Sequence, residues 1–143
     1  MPARISLSDL TVGQALPGQS FPIERASLVR YAGASGDFNP IHWSQETAES
    51  VGLPNVIAHG MLTMAIAVRV VTDWVGDPGA LVEYGVRFTR PVVVEYGTPT
   101  SLDVSGSVRS IDAEAGTAEI DLTATAGGQT VLARSRATVR LAS

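Results

Sequence analysis

The stretch from Gly60 to Trp74 carries Met61, Leu62, Met64, Ala65, Ile66, Val68, Val70 and Val71, so apolar residues fall on nearly every face of a helix drawn through it. A helix that is apolar all round has to be covered on all sides. The rest of the chain offers the cover. Four strand candidates follow, Leu81 to Arg90, Thr100 to Ser110, Thr117 to Thr125 and Thr130 to Leu141. The last sets Val131, Ala133, Ser135, Ala137, Val139 and Leu141 against Leu132, Arg134, Arg136, Thr138 and Arg140, the period-two alternation of a half-buried strand. Ala126-Gly127-Gly128-Gln129 links it to its predecessor as a hairpin. This order predicts an α+β fold in which a curved antiparallel sheet wraps around a long central helix, with Gly76 as the helix stop.

Upstream, a short strand is expected around Phe21 and Ile23, then a helix from Ser27 to Ala34 with Ser27 as a candidate cap and Leu28, Tyr31 and Ala32 facing inward. Gly33 and Gly36 weaken its continuation, which puts Asp37 in a loop. Pro40 disfavours helical geometry at Asn39 and stiffens the path to His42. Ser44 can cap a second short helix through Glu49, ended by Gly52 and Pro54. Arg69 and Asp73 can pair within the central helix, weakly, because their order opposes the helix dipole.

The 143 residues, 45% apolar and free of internal repeats, fit one domain spanning 1–143. No apolar stretch reaches membrane-spanning length and the first residues lack a secretory pattern, so a cytoplasmic protein with no membrane partner is expected. Without cysteine, disulfides, thiolate nucleophiles and cysteine-ligated clusters are excluded. All ten basic residues are arginine and the net charge is -4, which gives no reason to expect nucleic-acid binding.

Asp37-Phe38-Asn39-Pro40-Ile41-His42, followed by Ile57-Ala58-His59-Gly60-Met61, places an acid, an imidazole and a backbone donor at the mouth of the apolar helix. A carboxylate and an imidazole on one stiff loop can orient a water or shuttle a proton, while a helix-start N–H polarises a carbonyl oxygen. Proton-transfer chemistry on a carbonyl compound is the leading reading. Asn39 is a turn residue whose amide can orient the carboxylate. Gly60, lacking Cβ, lets an oxygen approach its N–H closely. His59 is either a second acid/base group or a packed residue, and the packed role is preferred. Two imidazoles and one carboxylate at this spacing lack a zinc signature, so no metal is assigned.

Tyr31-Ala32-Gly33-Ala34-Ser35-Gly36-Asp37-Phe38-Asn39-Pro40-Ile41-His42, with Ala58-His59-Gly60-Met61, resembles the hydratase 2 signature of the MaoC-like hotdog-fold dehydratases. The likeness continues through Tyr84-Gly85-Val86-Arg87-Phe88-Thr89-Arg90-Pro91-Val92, and is particular to the catalytic type of subunit in mycobacterial (3R)-hydroxyacyl-carrier-protein dehydratases. The resemblance implies a hotdog fold and reversible, (R)-specific addition of water across the α,β bond of an enoyl thioester carried by coenzyme A or acyl carrier protein. It implies Asp37 and His42 as the acid/base pair, Gly60 N–H as the oxyanion donor and Asn39 as loop support, with no cofactor. A homodimer is expected, with a heterodimer of homologous subunits as the alternative.

Trp43, Met61, Leu62, Met64, Val86 and Arg87 are the candidate substrate contacts, although the apolar ones are also plain core residues. Trp74 is read as packing. Arg87, Arg90, Arg134, Arg136 and Arg140 could form a phosphate-binding rim or merely solvated strand faces. Two other functions remain open: a hotdog acyl thioesterase, in which an acid directs water at the thioester carbonyl, and a noncatalytic acyl-binding or partner subunit.

Overall fold

The computed structural model describes residues 3–142, so the outermost positions of the 1–143 span lie outside the described residues. Five strands form one antiparallel sheet: β1 (Gln19–Ile23), β2 (Leu81–Phe88), β3 (Thr100–Asp112), β4 (Thr117–Ala126) and β5 (Gln129–Arg140), in the order β1-β3-β4-β5-β2. Gly127 and Gly128 both have positive φ, 58° and 75°, the pair of left-handed residues a two-residue hairpin turn needs between Ala126 and Gln129. Four helices precede or interrupt the strands: α1 (Arg25–Ser35), α2 (Gln45–Ser50), α3 (Gly60–Ala67) and α4 (Arg69–Val75). Ile23, Leu28, Val56, Val70, Val71, Val75, Leu102, Ile120 and Leu132 fill the core between helices and sheet. No helix among the described residues is long and apolar enough to cross a membrane.

The central helix departs from expectation in two ways. It is broken at Val68, where a side chain from β2 reaches its hydrogen-bond ladder. Tyr84 Oη donates to the Met64 carbonyl at 2.9 Å, while Val68 N–H reaches the same oxygen at 3.3 Å. A side chain competing for a ladder carbonyl is a recognised origin of kinks. The second departure is exposure. Thr63, Ala67, Val70, Val71 and Val75 are buried, but Met61 is exposed and Leu62, Met64, Ile66 and Val68 are only half-buried. The sheet covers one side of the helix, so the expectation of a fully buried helix fails for the single chain.

The first helix starts two residues earlier than expected, and Ser27 sits inside it rather than capping it. Leu28 and Ala32 are buried as anticipated, and Gly36, with φ 77°, ends the helix in the left-handed conformation. Ser44 does cap α2, its hydroxyl accepting from Thr47 N–H at 3.2 Å. Arg69 and Asp73 approach only to 4.0 Å, both partly exposed, a contact of little energetic weight.

The strict alternation expected along β5 breaks at a bulge. Gly85 faces Arg136 and Arg87 faces Ala133, while on the other side Leu122 faces Ser135 and Ala124 faces Leu132. Three steps on β5 thus oppose two on each neighbour, and the extra residue is Arg134, whose φ is +46°. The phase change turns Leu132 inward, and a second register shift, from Ala124 facing Leu132 to Thr125 facing Thr130, leaves Val131 as an extra residue beside it; both are about as buried as any core residue. Two consecutive apolar side chains therefore reach the interior.

Candidate active site

Each end of the site is held by backbone chemistry that its residue types dictate. Asp37 and Asn39 form successive side-chain-to-backbone turns: Asp37 Oδ1 accepts from Asn39 N–H at 3.1 Å, and Asn39 Oδ1 accepts from Ile41 N–H at 3.2 Å. Ser35 Oγ accepts from Asp37 N–H at 3.1 Å. Pro40 then opens a single 3-10 turn that ends on His42. On the facing side, Val56–Ala58 is laid against 92–94 by Ala58 N–H to Val92 O and Val94 N–H to Val56 O, both 2.8 Å. That short pairing brings His59 and Gly60 to the loop.

His42 is buried, and its Nδ1 lies 2.7 Å from the Ile57 carbonyl. A carbonyl can only accept, so Nδ1 carries the proton and Nε2 presents a lone pair when the ring is neutral. Nε2 stands 3.8 Å from Asp37 Oδ2. That separation is too long for a direct hydrogen bond, yet one water oxygen can sit within reach of both atoms. The Asp37 side chain is half exposed and the His42 side chain nearly closed off.

His59 lies under this pair, only 2% exposed. Its Nε2 donates to the Asp37 main-chain carbonyl at 3.1 Å, and its ring stacks on His42 with centroids 3.8 Å apart and planes 24° from parallel. Tyr31 meets the His59 ring edge-on at 4.7 Å. Burial pushes the His59 imidazole below its ordinary range, and the positive charge His42 can carry acts in the same direction, against the Asp37 carbonyl and carboxylate. Asp37, His42 and His59 offer three ligand atoms within 4.8 Å. The two rings are stacked, and one nitrogen of each is spent on a backbone carbonyl, which leaves each ring one nitrogen to offer.

Gly60 is the first residue of α3, so its N–H has no acceptor within the helix. The Phe88 ring packs so near that a Cβ on Gly60 would lie 3.0 Å from it. Gly60 and His42 open onto one cavity of about 290 Å³, lined further by Thr63, Phe88, Arg90, Val92, Val131 and Leu132. The structure thus brings Asp37, His42, Asn39, His59 and Gly60 together. Trp43, Met61, Leu62, Met64, Val86 and Arg87 do not line that cavity. Trp43 instead braces the loop, its indole N–H donating to Phe38 O at 3.0 Å.

Of the five arginines considered as a phosphate rim, Arg90 borders the cavity. Arg136 is paired with Asp121 at 3.2 Å, and it shares a surface groove with Arg134, away from the site. Phe88, Thr63, Val131 and Leu132 escaped the sequence reading as cavity residues. Pro91 could have signalled the first, because it ends β2 and leaves Phe88 at the strand terminus. Nothing in a Leu-Ala-Arg-Ser run announces the bulge.

A helix lying in a five-stranded antiparallel sheet of this order, with its first turn facing a loop-borne acid and imidazole, defines the hotdog class. Residues 9–126 match the MaoC like domain, and the chain belongs to that family. It is 40% identical over 78 residues to 3-hydroxyacyl-thioester dehydratase X of Mycobacterium tuberculosis, covering 54% of this chain but 27% of that protein. Among solved structures, a MaoC-like dehydratase superposes with TM-score 0.95 at 39% identity, over 99% of this chain and 43% of the other. An R-hydratase of Pseudomonas aeruginosa gives TM-score 0.83 at 25% identity, over 99% of this chain and 88% of the other. The chain spans about a quarter of the length of the mycobacterial relative.

Proposed function

We propose that the protein catalyses reversible (R)-specific hydration of trans-2-enoyl thioesters, or equivalently dehydration of (3R)-hydroxyacyl thioesters, within fatty-acid metabolism. The observation that carries this reading is the spacing of Asp37 Oδ2 and His42 Nε2, 3.8 Å, beside a cavity that also receives Gly60. Water held between carboxylate and imidazole adds its oxygen to the β-carbon while losing one proton to the pair. The α-carbon takes a proton in return, so the thioester survives intact. Negative charge that develops on the carbonyl oxygen meets Gly60 N–H and the positive end of α3. Dehydration reverses each step, and protonation of the departing β-hydroxyl falls to the same two groups.

Asn39 supports the loop in this scheme, and no cofactor or metal takes part. The acyl group enters along Thr63, Val131 and Leu132, while Arg90 at the rim suits a phosphate of coenzyme A or of a carrier protein's phosphopantetheine arm. A homodimer belongs to the same proposal. It is supported by the unpaired edge of β2 and by exposed Val82, Phe88 and Met61, which a second chain would cover and which would bring Met64, Val86 and Arg87 under a shared roof. A heterodimer with a homologous subunit would use the same edge. A single domain over 1–143 and a cytoplasmic location belong to the same proposal.

The test is incubation of the purified chain with trans-2-enoyl-coenzyme A, following loss of enoyl absorbance and resolving the product by chiral chromatography. The expected product is the (3R)-hydroxyacyl thioester. Free thiol as the sole product would make the protein a thioesterase instead, and binding without turnover would make it an acyl-binding subunit.

A further inference from the structure

His59 is the most deeply buried ionisable side chain at the site, and the proton transfers described above use none of its ring atoms. Its Nε2 faces a carbonyl 3.1 Å away, so Nε2 carries the proton. Nδ1 is then bare, and it is buried with no hydrogen-bond partner. A second proton placed there would find no protein acceptor, which disfavours the imidazolium. The groups facing His59 are His42 and Asp37 from the loop side and the edge of Tyr31 from α1. Two charged imidazoles at a 3.8 Å stacking distance would repel, so a proton taken up by the stack belongs on His42, whose Nε2 looks toward the carboxylate.

The other restraints on Asp37, from Ser35 and Asn39, come from residues two positions away in the sequence. The hydrogen bond from His59 ties it to a different element, the start of α3. We propose that His59 is a positioning residue: an imidazole kept neutral during turnover, protonated on Nε2, that clamps Asp37 through its main-chain carbonyl and supports His42 face to face. The carboxylate–imidazole spacing is thereby held through the cycle. This rests on the hydratase reading of the site, because it assigns the spacing its purpose.

The test combines nitrogen-15 NMR of the histidine rings with two substitutions. In the wild-type chain His59 should remain a neutral Nε2–H tautomer to a lower pH than an ordinary imidazole. His59→Phe keeps a flat ring against His42 but removes the donor. It should lower kcat on the order of 10²-fold with KM little changed, the penalty expected when a reacting group drifts by about an ångström. His59→Gln carries an amide N–H at about the reach of Nε2 and should restore most of that kcat.

A His59 ring that takes up a proton as readily as an ordinary imidazole, a His59→Phe variant with wild-type kcat, or a His59→Gln variant no better than His59→Phe would each overturn the proposal. Should His59→Phe fail to fold, the wild-type titration and His59→Gln decide. If the wild-type chain does not hydrate enoyl thioesters at all, the hydratase reading falls, while the ring titrations still report whether His59 is the neutral clamp.

Discussion

Asparagine at position 37 separates charge from geometry. Asp37 uses its two oxygens differently: Oδ1 accepts from Asn39 N–H at 3.1 Å, and Oδ2 faces His42 Nε2 at 3.8 Å. In Asp37→Asn the amide oxygen can keep the first contact, so the turn that carries Pro40 and His42 survives. The amide nitrogen then points a donor at the His42 lone pair, which occupies the base and supplies no carboxylate. Loss of one general acid/base partner costs typically about 10²- to 10⁴-fold in rate. We expect that fall in kcat, with thermal unfolding unchanged. Asp37→Ala removes the turn contact as well, a net loss of about 1 kcal/mol, or about 3 °C in Tm for a chain of this size. Enoyl-thioester turnover measured across pH, beside thermal melts of both variants, makes the comparison. An Asn variant within about tenfold of wild type would refute the carboxylate's role in proton transfer. An Asn variant that melts as early as the Ala variant would mean the oxygen contact, not the charge, is what position 37 provides.

Gly60→Ala would set a methyl 3.0 Å from the Phe88 ring, which is half exposed and can swing aside into the cavity mouth; kcat should fall on the order of 10²-fold because the thioester oxygen loses its approach to the N–H, and a steady-state assay on the folded variant checks this. Tyr84→Phe removes the hydroxyl that competes for the Met64 carbonyl; denaturant melts should show a loss of about 1 kcal/mol, and the carbonyl keeps its Val68 N–H. His59 is held below its ordinary 6.5 in the folded chain, so the unfolded chain takes up the proton first. Its contribution to stability is therefore complete above about pH 6.5, declines as pH falls toward the lower folded value, and levels off below it; this slope should vanish from unfolding free energies of His59→Gln. Treatment with a strong chelator should leave turnover of the wild-type chain unchanged, since the proposed proton transfers run through Asp37 and His42 alone.

What could be read in advance was whatever depends on neighbours in sequence. The Asp37–Asn39–Pro40 loop is a chain of local hydrogen bonds, each spanning two residues, so its stiffness and its exit at His42 follow from residue type alone. The hairpin at Gly127-Gly128 and the Ser44 cap are local in the same sense. The helix break at Val68 and the bulge at Arg134 are not, because each is enforced by a partner distant in the chain: Tyr84 on β2 for one, the registers of β2 and β4 for the other. These long-range events shape the cavity. The two register shifts along β5 send Leu132 and Val131 to its wall together, and the end of β2 delivers Phe88 against Gly60. The same division explains why the Asp37–His42 juxtaposition was legible and the cavity wall was not. The two groups share one stiff turn, whereas the shape of the cavity depends on where strands from the other end of the chain register.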